Sequence, residues 1–249
     1  NKLRTLYKKI GKNKEQYYTG TFLILDSLRD NWKKEDIEKV IKEFRLLVSP
    51  FEEKNNFSLY ITAPEYDLYE VKLENNILRQ RYAKVEAKIK TQSIDNGERK
   101  TVFCARYADR EGTIKDFSEE LKKVYICGDL QITIYYFLRD ASLKFDGLKA
   151  SEAKAVLDTF CGVKIYRDGF RVRPYGEEGN DWLLLDKIKI SDPHGYRVGN
   201  NQVIGVVNIN SDANPLLIDS TNREAIIENE AFAQLKQVVN KCINIIENH

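Results

Sequence analysis

Residues 84–92 (KVEAKIKTQ) and 100–108 (KTVFCARYA) alternate apolar and polar side chains on either side of Asp95-Asn96-Gly97. A period of two puts every second side chain on one face, so each segment reads as a strand that is dry on one side and wet on the other. Asn-Gly accepts the positive φ of a tight turn, and the two segments are expected to pair as an antiparallel hairpin. Such a hairpin needs another element to cover its apolar face.

The rest of the chain supplies both more strands and the cover. Trp32, Ile37, Val40, Ile41, Phe44 and Val48 recur near a 3.6-residue period, which predicts a helix over 32–48 ended by Ser49-Pro50. Residues 123–140 read as a long strand that must bend at Gly128. Ala153, Val156, Leu157 and Phe160 share one face behind Ser151, a helix over 151–161. Val163, Ile165 and Tyr166, then Phe170 and Val172, flank Asp168-Gly169 as a second hairpin. Residues 202–209 (QVIGVVNI) make a further strand, and an amphipathic helix closes the sequence. This order predicts an α+β fold, a mixed sheet with helices packed on one face.

A chain of 249 residues can bury a substantial core, as one large domain or two intimate ones. Its 40 Lys and Arg against 38 Asp and Glu give a net charge of +2, which argues neither for nor against a polyanionic partner. Local charge is less even: residues 2–14 carry six basic and no acidic side chains, a cluster that could touch nucleic acid. Cys104, Cys127, Cys161 and Cys242 are far apart and form no CxxC, so reduced thiols and a cytoplasmic setting are expected rather than disulfides or zinc. No run of 18 apolar residues, signal-peptide profile or lipidation motif suggests a membrane. The start at Asn1 and the lack of methionine suggest a piece of a longer protein.

Thr221 and Glu224 fit a capping box, which would put Arg223 in the first turn of a helix. That turn already carries positive partial charge, so a cation gains little there unless an anion joins both. The simpler alternative is that Arg223 pairs with Glu224, Asp219 or Glu228 at the surface.

Residues 202–226, with the strand QVIGVVNI, a polar loop, the aliphatic hinge PLLID and TNREAI before the terminal helix, resemble the end of the transducer domain in GHKL-type ATPases. The closest parallels are the Microrchidia ATPases and the ninety-kilodalton heat-shock chaperones. Their loops have Asn-Lys-Gln and Ser-Arg-Glu cores, whose basic residue reaches the γ-phosphate of ATP held by the preceding domain. Asn222, Arg223 and Glu224 occupy that place. Upstream, GVKIYRDGFRVRPYG (162–176) resembles the strand-turn-strand of Microrchidia proteins and MutL. Residues 17–61 are similar to the junction between a GHKL nucleotide-binding domain and its transducer, with 20–25 as the former's last strand. The resemblance covers both ends and the distal third, whereas residues 66–160 match by position more than by motif.

The resemblance implies that residues 1–26 are the end of the nucleotide-binding domain and 27–249 a transducer, of ribosomal-protein-like fold with a left-handed crossover. It implies Arg223 as the catalytic cation. Asn222, Asn201 and Gln202 would join Arg223 at the phosphates, and no residue here would ligate a metal. ATP and Mg2+ would be held mainly by the chain's own N-terminal ATPase domain, with an ATP-dependent homodimer and a client protein or DNA as further partners. The nucleotide-binding motifs themselves are absent: there is no Asp-x-Gly-x-Gly, no glycine-rich lid and no Walker A, and Asp95-Asn96-Gly97 and Arg110-Glu111-Gly112 read as turns. The chain alone is therefore not expected to hydrolyse ATP, whereas the intact protein is.

Other constellations are weaker. Asp67 with Glu70 and Lys72, or Glu86 and Lys88, echoes metal-dependent nucleases, yet charges alternating along a strand simply face water. His194 has no Gly-x-Ser-x-Gly elbow, and Glu177, Glu178 and Asp181 would repel a nucleotide from PYGEEGNDW, where Trp182 reads as a core anchor. Asn200, Asn201 and Gln202 also suit a plain strand opening. A second functional reading is a non-enzymatic module that binds a protein or DNA without nucleotide coupling.

Overall fold

The structure is a computed structural model describing residues 23, 25, 29–47, 59–93, 98–140, 143, 150–192, 194–220 and 225–249. The chain divides into two compact units, Asn1–Asn76 and Ile77–His249. Of residues 1–28 only Leu23 and Leu25 are described, so the basic cluster at 2–14 and the strand and boundary expected at 20–26 lie outside the described residues.

In the first unit the expected helix is α1, Lys34–Leu47. Asp36 in its first turn accepts from Lys33 N at 3.0 Å and pairs with Lys39 Nζ at 3.2 Å. The backbone bond, with Lys39 next, holds the Asp36 carboxyl below its ordinary range, as suits a helix N-terminus. Strands β1 (Leu59–Ala63) and β2 (Leu68–Leu73) pair antiparallel around a 3-10 turn, Pro64–Tyr66, closed by Asp67 at φ 57°. The Tyr66 hydroxyl donates to Trp32 O.

The second unit is an α+β fold built on a mixed seven-stranded sheet. Its strands are β3 (Ala83–Ser93), β4 (Arg99–Asp109), β5 (Ile114–Glu120), β6 (Leu130–Tyr136), β7 (Gly162–Arg167), β8 (Phe170–Val172) and β9 (Val203–Ile209). They lie in the order β5-β4-β3-β6-β9-β7-β8. The β3–β4 hairpin runs in register from Ala83↔Asp109 to Ser93↔Arg99, and its turn at 95–97 lies outside the described residues. Its dry face is the expected set: Val85, Ala87 and Ile89 oppose Tyr107, Ala105 and Phe103, all buried. The second hairpin joins β7 to β8 through Asp168 (φ 52°) and Gly169 (φ 84°), the paired positive angles of a type I′ turn. β7 and β9 are parallel; the other pairings are antiparallel.

The strand expected over 123–140 is shorter than its apolar run suggests. Only Leu130–Tyr136 pairs, because the preceding segment is held in a turn by distant side chains. Gln234 Oε1 accepts from Ile126 N and Cys127 N at 2.6 and 3.2 Å, and buried Asn214 donates to Cys127 O and Asp129 O at 2.6 and 2.9 Å. Gly128 does mark the bend: its φ is +79°, and a Cβ there would lie 2.0 Å from Ala213 O.

The closing helix is α4, Glu230–Glu247. Leu235, Val238, Val239, Cys242 and Ile246 are buried at helical spacing, and α4 packs on β3, β6 and β4. The middle helix is α2, Ala150–Phe160, which takes Ser151 inside rather than as its cap and buries Ala153, Val156 and Leu157. Lys164, which alternates with core residues Val163 and Ile165, donates to Phe160 O and, at 3.2 Å, to Cys161 O, the carbonyls at the end of α2. The second unit thus has the expected mixed sheet of an α+β fold, with α4 packed on it. A short helix, α3 (Leu185–Ser191), precedes β9 and exposes Ile188 and Ile190. All four cysteines are free. Among the described residues no helix is long and apolar enough to cross a membrane.

Burial, and then the charge of Arg171, bring the Lys164 amine down from 10.5 to about 8. Between those values this amine is protonated in the unfolded chain and neutral in the folded one, so its contribution to stability rises with pH across the window. The burial penalty is complete below pH 8 and relieved above 10.5. Denaturant unfolding at pH 7 and pH 11 is expected to show the wild-type chain gaining about 2–3 kcal/mol relative to Lys164→Met; parallel pH profiles would contradict the buried amine.

Candidate functional site

Residues 221–224 join two short segments that pair with each other. Asp219 and Ile226 form an antiparallel bridge, Ser220 N donates to Ala225 O at 2.7 Å, and Ile227 N donates to Ile218 O at 2.8 Å. Ala225 N is taken by Ser220 Oγ at 3.1 Å. Thr221, Asn222, Arg223 and Glu224 themselves lie outside the described residues.

The expected helix start is corrected. Residues 225–229 are not helical, and α4 begins at Glu230 with Asn229 as its cap, whose Oδ1 accepts Phe232 N at 2.9 Å. Asn caps as well as Thr does, and the β-branched Ile226 and Ile227 favour the extended pairing that Asp219 and Ile218 complete. A helix N-terminus therefore does not account for Arg223; a pinned hairpin frames the loop instead.

Three contacts hold that frame. Arg167, at the end of β7, donates to Leu217 O and pairs with Asp219 at 3.0 Å. Its side chain is 14% exposed, and its Nε is buried with no hydrogen-bond partner. Tyr175 accepts Ile226 N on its hydroxyl at 2.9 Å and donates to Ile226 O at 3.3 Å, grasping one residue's backbone from both sides. Asn229 Nδ2 donates to Leu216 O at 2.8 Å, tying the other strand to the helix cap.

The Tyr175 ring is fixed in turn by Trp182 at 5.2 Å, edge to face, and by Phe232 at 5.5 Å, while Trp182 stacks on Phe232 at 5.7 Å. Trp182 Nε1 donates to Val163 O at 2.8 Å, so Trp182 is the core anchor that the sequence suggests. Burial pushes the Tyr175 hydroxyl up, and it remains a neutral donor. Tyr175→Phe is expected to cost about 1–3 kcal/mol by leaving the Ile226 backbone unpaired. It should also speed amide exchange at Ile226 and Ile227; exchange unchanged at both would contradict the clasp.

The frame leaves little local negative charge uncompensated. Asp219 is neutralised by Arg167, and Glu228 pairs with Lys236 at 3.0 Å. Asp168 is occupied by Ser211 N and Oγ and by Asn210 Nδ2 at 2.7 Å, and the Ser211 hydroxyl bond, ahead of burial, holds its carboxyl low.

Asn201 and Gln202 lie elsewhere. They belong to a 3-10 turn, Asn200–Gln202, that opens β9, whereas Asp219 is tied to Arg167, which pairs with Ile209 at the strand's other end. Seven residues of strand separate the two places, about 20 Å at the usual rise. Gln202 is also engaged: its Oε1 accepts Gly199 N at 3.0 Å and Lys189 Nζ at 2.5 Å, and Asn201 O accepts Arg139 Nη1 at 3.0 Å. The structure thus does not bring Asn201 and Gln202 to the described residues that flank Arg223. Arg167 and Tyr175, which do reach that frame, gave no local signal in the sequence. His194 is exposed, Glu86 pairs with Lys84 at 2.9 Å, and among the described residues no His, Cys, Asp and Glu cluster could hold a metal.

Comparison with family models, with curated proteins and with solved structures finds no match to this chain.

Proposed function

We propose that this chain is a transducer-like module of a GHKL-type ATPase, in which the loop at 221–224 offers Arg223 to the γ-phosphate of ATP and passes the nucleotide state to the rest of the fold. The observation that carries the reading is the pinned hairpin. Residues 221–224, which include Arg223 and Glu224, leave a frame fastened to β7 by Arg167 and to the aromatic cluster by Tyr175. Preorganised cations are what phosphoryl transfer asks of a protein, since its transition state needs charge stabilised more than bonds made. Mg2+ and the nucleotide base would be held by an ATPase domain of the intact protein. Asn222 is the loop neighbour best placed in sequence to share the phosphate contact. A cytoplasmic setting and an ATP-dependent homodimer go with this reading.

The test is ATP turnover of the intact protein with and without Arg223→Ala. Loss of turnover with nucleotide binding kept supports the reading, and unchanged turnover refutes it. A second reading, a module that binds a partner without nucleotide, is favoured by the exposed Leu216, Ile218 and Ile227 on the same frame. Salt-sensitive DNA binding, or partner binding, unaffected by Arg223→Ala in a protein that does not bind ATP would select it.

A further inference from the structure

At the opposite end of β9 from the hairpin, a cavity of about 320 Å³ is lined by Tyr82, Tyr107, Tyr136 and Tyr196, with Leu138 and Ile246. These tyrosines come from four places in the chain: the residue before β3, the end of β4, the end of β6 and the loop before β9. The β-ladder assembles them, since Tyr82 N donates to Tyr136 O at 2.7 Å and Tyr136 is paired with both Ala83 and Val203. The Tyr82 and Tyr136 rings stand at 89° with centroids 6.1 Å apart, as two walls of a corner.

Most polar side chains that line this cavity bond within the protein. Tyr82 donates to Glu111 Oε1 at 2.9 Å and Tyr107 to Asp109 Oδ2 at 3.2 Å, while the Tyr136 and Tyr196 hydroxyls bond each other. Glu247, 7% exposed, accepts Arg197 Nη1 and Val198 N, each at 2.9 Å, and Arg197 is balanced further by Asp192. Lys115 bonds His249 Nδ1 at 3.1 Å, and the His249 ring lies 5.6 Å from that of Tyr107. Tyr107 and Tyr136 are pushed up mainly by burial, and Tyr82 by its bond to Glu111, so these three rings stay neutral phenols.

A hard metal ion would find no cluster of His, Cys, Asp and Glu ligands here among the described residues. A weakly hydrated organic cation needs none: it is attracted by the faces of aromatic rings, and phenols that donate to carboxylates are more electron-rich than free ones. We infer that this tyrosine-lined cavity is a binding site for a quaternary or fully methylated ammonium group. The site lies at the other end of β9 from the residues that pin the hairpin and does not depend on the reading given to Arg223.

The test titrates the full chain with choline at matched ionic strength, followed by calorimetry and by tyrosine ring resonances. Its neutral tert-butyl analogue serves as the control. Choline is expected to bind saturably and about tenfold more tightly than the analogue, the gain that a desolvated cation draws from aromatic faces. Tyr196 is 57% exposed, so its replacement leaves the core intact. Tyr196→Ala should weaken choline about tenfold, whereas Tyr196→Phe, which keeps the ring, should stay within about threefold. Equal binding of choline and its analogue, no saturable binding, or an affinity indifferent to Tyr196→Ala would each overturn the assignment.

Discussion

Arg223→Ala in the intact protein is expected to lower ATP turnover by about a thousandfold while shifting nucleotide affinity by less than about tenfold. A cation that meets the γ-phosphate acts chiefly as charge spreads over the transferring group, so its removal falls on the chemical step more than on ground-state binding. Arg223→Lys should recover part of the rate, because the charge returns without the planar fork that grips two phosphate oxygens. Single-turnover hydrolysis with radiolabelled ATP, beside equilibrium binding of a non-hydrolysable analogue, separates these effects. A fall in affinity equal to the fall in rate would mean that Arg223 holds the nucleotide without distinguishing the transition state.

Phe232→Ala is expected to destabilise the second unit more than Tyr175→Phe does. The ring is 2% exposed, stacks on Trp182, leans on Tyr175 and carries Lys236 Nζ 4.8 Å above it. Truncation removes most of its packing and opens a cavity at the place where the hairpin frame, β7 and α4 meet, at a cost of about 3–5 kcal/mol. For a unit of this size that corresponds to a fall in melting temperature of about 10 °C. The turnover of the intact protein should fall with it even below the transition, because Tyr175 loses one of the two rings that aim its hydroxyl at Ile226. Thermal unfolding of the full chain checks the first part, and a shift under about 3 °C would show that the aromatic cluster is not what holds the frame.

The elements that sequence reasoning finds are those whose signal is local. The β3–β4 hairpin rests on strict alternation, α1 and α2 on helical spacing, and the β7–β8 turn on Asp168-Gly169, whose backbone angles are those the dipeptide favours. The elements it misses are decided by side chains far away in the chain. Residues 123–129 have strand-like apolar content, yet Gln234 and Asn214 take their amides and carbonyls, 107 and 85 residues distant. Thr221 and Glu224 make a plausible capping box in isolation, but Ile226 and Ile227 are claimed by Asp219 and Ile218, and Asn229 caps the helix instead. Strand β5 shows no alternation because neither of its faces is buried.

The same division holds for function. Arg223 drew notice through its neighbours in sequence, whereas Arg167 and Tyr175 are visible only once β7, β9 and α4 are assembled. Asn201 and Gln202, a polar run in the sequence, lie in the turn that opens β9, with Gln202 bonded to Gly199 and Lys189. The four cavity tyrosines, spread from residue 82 to residue 196, share no spacing that a linear reading could detect.

The proposal that the loop at 221–224 reads the γ-phosphate is tested most directly by amide hydrogen exchange on the intact protein in the presence of a non-hydrolysable ATP analogue and, separately, ADP. Exchange at Ala225, Ile226 and Ile227 is expected to be slower with the analogue than with ADP, a difference abolished by Arg223→Ala. Equal exchange at those amides in the two nucleotide states, with both nucleotides bound, would contradict it.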